Sequence, residues 1–148
     1  MIPAIQRKFT RKTAHPTPAV AITTKDYESQ LSPEERYRRH YAMWDFWHAE
    51  LMEGLGGNSK RAIRAVEEGM AELQALEALL VPEKRAQLAG HVERLERLHQ
   101  ELVKGTMSDT ARYRWRPELE LQQRTLHHDF AWQHVQEDVR WPDTASPA

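Results

Sequence analysis

From residue 33 onward, apolar side chains recur every three or four positions, the spacing that places them on one face of an α-helix. The first stripe is Tyr37, Tyr41, Trp44, His48, Leu51 and Leu55, and the second is Ile63, Val66, Met70, Leu73 and Leu80. A third runs through Leu88, Val92, Leu95, His99 and Leu102, and a fourth through Leu121, Thr125, His128, Trp132, Val135 and Val139. Each stripe requires a neighbour to cover it. The pattern therefore predicts an all-α fold, an up-down bundle of three to four helices.

Punctuation sets the helix boundaries. Ser32-Pro33-Glu34-Glu35 has the form of a capping box with proline at the first helical position, and Gly54, Gly56 and Gly57 follow one helix length later. These signals predict helix 1 over 33–54. Asn58 is a cap for helix 2 over 59–80; Pro82-Glu83 opens helix 3 over 82–104, which Gly105 closes. Pro117 with Glu118 and Glu120 predicts helix 4 over 117–140. Short links favour antiparallel neighbours for helices 1 to 3. Helix 4 either completes the bundle or docks on another protein. No second copy of any helix pair follows, so a solenoid is not indicated.

Residues 1–31 carry no sustained helical or alternating stripe, and they hold Pro3, Pro16 and Pro18 among five threonines. They read as an extended arm ahead of a bundle at 32–141, with 142–148 as a tail. The arm is basic. Over residues 1–30, Arg7, Lys8, Arg11, Lys12 and Lys25 stand against Asp26 and Glu28, a balance of +3 that leaves −4 for the rest of a chain whose net charge is −1. That near-neutral total argues against nucleic acid as a partner class, since affinity for phosphate backbones rests on clustered cations. The chain has no cysteine, which removes disulfide scaffolds, thiolate metal sites and thiol nucleophiles from consideration. With no apolar run of spanning length and no signal-like start, the expected location is cytoplasmic, with peripheral association with a membrane complex left open.

Three stripes each contain a histidine. A rise of about 1.5 Å per residue puts His48, His99 and His128 near one level of an up-down bundle, with Glu96 one turn before His99. Glu96-x-x-His99 is half of the pairing that di-iron carboxylate bundles use, but such a site needs a second pair and further inward glutamates, and this chain lacks them. Metal or haem ligation by His48, His99, His128 and Glu96 is therefore the alternative; histidines hydrogen-bonded to carboxylates or carbonyls are the main expectation, with no cofactor. No His-Glu-x-x-His, glycine-rich phosphate loop or Gly-x-Ser-x-Gly elbow occurs, and no enzyme is predicted.

The most unusual local sequence is Arg112-Tyr113-Arg114-Trp115-Arg116, a period-2 alternation ahead of a proline. It predicts an extended strip with arginines on one side and rings on the other. Arg, Tyr and Trp are the side chains enriched at interface hot spots. The strip serves either as a docking surface or as a cover for the bundle end with its arginines in water. Together these features predict a non-enzymatic interaction protein, an accessory or structural subunit of a larger assembly. Its contacts with other protein subunits would be Arg112, Tyr113, Arg114, Trp115 and Arg116, together with Arg7, Lys8, Arg11 and Lys12 of the arm.

Overall fold

The computed structural model describes residues 30–140. The chain divides into two units, residues 1–31 and 32–148, and the helices below belong to the second. They are α1 (Pro33–Gly54), α2 (Ser59–Glu77), α3 (Pro82–Lys104), α4 (Asp109–Asp129) and the single turn α5 (Trp132–Val135). The fold is all-α, as the stripes predict. Most of the arm and the whole tail 142–148 lie outside the described residues.

The caps explain the first three helices. Ser32 Oγ accepts from the Glu35 amide while the Glu35 carboxylate accepts from the Ser32 amide at 2.8 Å, a complete capping box that holds the Glu35 carboxyl below the usual range. Asn58 Oδ1 accepts from the Arg61 amide at 3.0 Å to start α2. Pro82 opens α3, and Gly105, at φ 72°, closes it in the left-handed conformation that costs glycine least. Helix α2 ends at Glu77, three residues before the expected limit, because Leu79 and Leu80 turn inward and Leu80 bridges Val139. That clasp consists of Val81 N–H donating to Asp138 O at 2.8 Å and Arg140 N–H donating to Leu79 O at 2.6 Å.

Contacts between helices give the topology. His40 meets Glu72 and Glu50 meets Arg61, so α1 and α2 are antiparallel. Tyr37, Asp45, His48 and Met52 of α1 meet Phe130, His127, Leu119 and Arg116 in turn, so α4 runs antiparallel to α1. Lys84, His91 and Glu101 of α3 meet Asp129, Gln122 and Trp115, so α4 is also antiparallel to α3. The result is an up-down-up-down bundle in which α4 is the fourth wall. Its core contains Tyr37, Trp44, Leu51, Leu73, Leu88, Leu95, Leu98, Trp115, Leu119, Leu126 and Phe130.

Helix 4 is where the expectation fails. It starts at Asp109, not at residue 117, because Ser108 Oγ accepts from the Ala111 amide and caps it eight residues earlier. Pro117 sits inside the helix, where its missing N–H leaves the Tyr113 carbonyl without its usual donor. The buried stripe is Ala111, Trp115, Leu119, Gln122 and Leu126, so Leu121 is 53% exposed and the His128 side chain 84% exposed. The helix ends at Asp129; Phe130 turns into the core and Ala131 is extended before α5.

Candidate interaction surfaces

The strip at 112–116 is helical, not extended, and this divides its residues by function. Two residues span about 200° of helix, so Tyr113 and Trp115 point apart. Trp115 is buried, and its Nε1 donates to Glu101 at 3.3 Å. Tyr113 is 83% exposed. Arg114 lies 3.8 Å from the same Glu101 carboxylate, Arg112 pairs with Asp109 at 3.0 Å, and Arg116 donates to the Met52 carbonyl in the last turn of α1 at 3.1 Å. Beside them lies a hollow of about 180 Å³ lined by Leu55, Gly56, Asp109, Arg112, Tyr113 and Arg116. Alternation within so short a stretch fits a strand as well as a helix, and the deciding signal was Ser108 followed by an inward spacing of four from Ala111 to Trp115 to Leu119. Arg7, Lys8, Arg11 and Lys12 of the arm lie outside the described residues.

The three stripe histidines do not converge. His48 is buried and its Nε2 donates to the Leu119 carbonyl at 2.9 Å; burial pushes its pKa down, and the carbonyl bond opposes part of that shift. His99 pairs with Glu67 of α2 at 2.8 Å, and Glu96 is exposed. His128 pairs with the adjacent Asp129 and accepts the His134 ring through its carbonyl. The level predicted from helical rise requires His128 to face inward, and the buried stripe of α4, Trp115, Leu119, Gln122 and Leu126, leaves it facing outward. Among the described residues no group of three His, Cys, Asp or Glu side chains could hold a metal ion. Histidine instead links neighbouring helices: His40 with Glu72 at 2.6 Å, His99 with Glu67, and His127 with Asp45 at 2.8 Å.

A second surface is built on Phe46 and Trp47, aromatics of α1 that lie off its stripe of Tyr37, Tyr41, Trp44 and His48. Phe46 is 52% exposed and packs edge to face on Trp47, with ring centroids 5.0 Å apart. The Arg64 guanidinium of α2 lies 5.4 Å above the Trp47 ring. Arg61 is held by Glu50 through two bonds of 3.0 and 3.1 Å and reaches Glu53 at 3.2 Å, which lowers the Glu50 pKa and raises that of Arg61. Phe46, Trp47, Glu50, Arg61 and Arg64, with Asn58 and Lys60, line a groove of about 560 Å³. A smaller hollow of about 180 Å³ lies at the other end of α1, between Tyr37, Arg38, Tyr41 and Trp132, where Arg38 covers the Trp132 ring at 5.8 Å. Burial and nearby Asp45 push the Tyr41 hydroxyl up to about 12.

No family model, curated protein or solved structure matches this chain. Among the described residues no helix is long and apolar enough to cross a membrane.

Proposed function

We propose that the chain is a non-enzymatic interaction protein, an accessory or structural subunit of a larger protein assembly. The observation that carries this reading is the pairing of exposed aromatics with cations on a bundle whose core is already closed. Tyr113 stands 83% exposed between Arg112 and Arg116, and Phe46 stands 52% exposed beside Arg64. Neither ring is needed to fill the interior. An exposed aromatic held next to an arginine presents apolar area and directed N–H donors together, the combination found at interface hot spots.

The division of the strip changes which residue reports on docking. Trp115 belongs to the core, so the docking face consists of Tyr113 with Arg112 and Arg116, and the basic arm with Arg7, Lys8, Arg11 and Lys12 is the second contact. Partners are other protein subunits, and a cytoplasmic location fits this reading. The test is affinity isolation of the tagged full chain from its native cells, in parallel with Tyr113→Ala/Arg116→Ala and with a form lacking residues 1–29. Stoichiometric partner chains lost in either altered form are the expected result. A monomer that captures nothing in any form would overturn the reading.

A further inference from the structure

We propose that the groove between α1 and α2 docks an acidic segment of a partner protein, one that places apolar side chains among carboxylates. This rests on the reading of the chain as an interaction protein, and it specifies a second surface and the chemistry of its occupant.

The argument begins with a charge arrangement that stability does not explain. A helix N-terminus carries positive partial charge from its unpaired N–H groups, which favours acidic side chains there. Helix α2 has no acidic residue in its first turn; it has Lys60 and Arg61, with Arg64 one turn further on. Only Arg61 is compensated, by Glu50 and Glu53. Glu67, three residues from Arg64 and on the same side of the helix, is engaged by His99 of α3. Among the described residues, Lys60 and Arg64 have no carboxylate within ion-pair distance. The helix dipole and two uncompensated cations therefore sum to a positive field at one spot.

That field coincides with apolar surface in a concavity. Phe46 and Trp47 line the same groove as Lys60 and Arg64, and its volume of about 560 Å³ falls within the range of ligand pockets. Arg64, already stacked on Trp47, can offer a carboxylate two parallel N–H donors without leaving the ring. A carboxylate bound there would also face the open end of α2.

The chain's own ends do not match this chemistry. Residues 1–30 carry +3, and residues 141–148 hold a single acidic side chain, Asp143. Nucleic acid fits less well than a short acidic peptide, because a phosphate backbone running along the whole groove would find only two uncompensated cations and pass Glu50.

The test uses the full chain, titrated with a fluorescein-labelled twelve-residue peptide carrying four glutamates around a central Leu-Phe pair. Two control peptides replace the glutamates with lysine or the Leu-Phe pair with alanine. Saturable binding to the first peptide is expected, weakened about tenfold or more by Arg64→Glu and by Phe46→Ala. Val103→Ala, an exposed change on α3, should leave it unaltered. All three positions lie on the surface, and circular dichroism of each variant confirms that folding is retained. Equal binding of the lysine peptide, indifference to Arg64→Glu, or no binding of the acidic peptide at millimolar concentration would overturn the proposal. Tighter, Arg64-dependent binding of a 20-nucleotide single strand would overturn it in favour of a polyanion site. If the groove fails while Tyr113-dependent partner capture persists, the groove alone is lost and the interaction reading stands.

Discussion

The strip on α4 and the groove between α1 and α2 use the same residue types to different ends. In the strip, every arginine has a partner within the bundle: Arg112 with Asp109, Arg114 with Glu101, and Arg116 with the Met52 carbonyl. One of its two rings, Trp115, is core. In the groove, Lys60 and Arg64 have no carboxylate partner among the described residues, and Phe46 is half in water. Most of the strip thus serves the fold, with Tyr113 left over, while the groove has Phe46, Lys60 and Arg64 left over after Asn58, Glu50, Arg61 and Trp47 have served the fold. An unusual local sequence is a poor guide to a docking surface until its internal partners are known.

The sharpest way to break this comparison is Trp115→Ala. Removing a buried indole and its hydrogen bond to Glu101 should destabilise the bundle by about 3–5 kcal/mol, read as a lower midpoint in urea. A cost below about 1 kcal/mol, the scale of a surface change, would return Trp115 to the docking face.

Gly54 lies where the two surfaces meet, just before Leu55 and Gly56 of the strip hollow and against the start of α2. A Cβ there would come within 2.9 Å of the Ala62 backbone nitrogen. Backbone cannot step aside as a side chain can, so Gly54→Ala should cost about 1–3 kcal/mol from overpacking. It should also change peptide binding in the groove, since it displaces Arg61.

Acid should loosen the seat of the strip. His48 anchors α4 to α1 through the Leu119 carbonyl, and burial holds its pKa below the ordinary value; His91, beside Gln122, is depressed by burial and by Arg94. In the unfolded chain these rings protonate near pH 6.5, and in the folded chain only at lower pH. Their contribution is therefore complete above about pH 6.5 and is lost as the pH falls toward the folded values. Urea midpoints should drop between pH 7.5 and 5, and His48→Gln should flatten that drop. An unchanged slope in the variant would show that His48 does not carry it.

The smallest changes separate stability from docking. Lys60→Glu replaces a cation with an anion at the positive end of α2 and should raise stability by about 0.3–1 kcal/mol while weakening the acidic peptide. A loss of stability would mean that Lys60 serves the fold after all. Tyr113→Ala should shift stability by no more than about 0.5 kcal/mol, and partner capture is its readout.

Local chemistry determined most of the elements. Ser32-Pro33-Glu35, Asn58, Pro82 and Gly105 set three helices within their own few residues, because caps, proline and glycine act through backbone geometry that needs no distant partner. The inward faces of α1 and α3 followed from spacing, with Leu98 omitted; in α2 the stripe held Val66 and Leu73 but missed Ala62, Ala65, Gly69 and Leu76. Tertiary structure decided the remainder. Arg-Tyr-Arg-Trp-Arg taken by itself is compatible with strand or helix; the Ser108 cap starts the helix, and burial of Trp115 beside Glu101 of α3 holds that phase through Pro117. That choice sets the phase of α4, which turns His128 to solvent, dissolves the histidine layer and brings His127 to Asp45. Whether a cation is free or satisfied was likewise a tertiary matter: Arg61 and Arg64 are three residues apart in one helix, and only the position of α1 gives one its carboxylates and the other a ring.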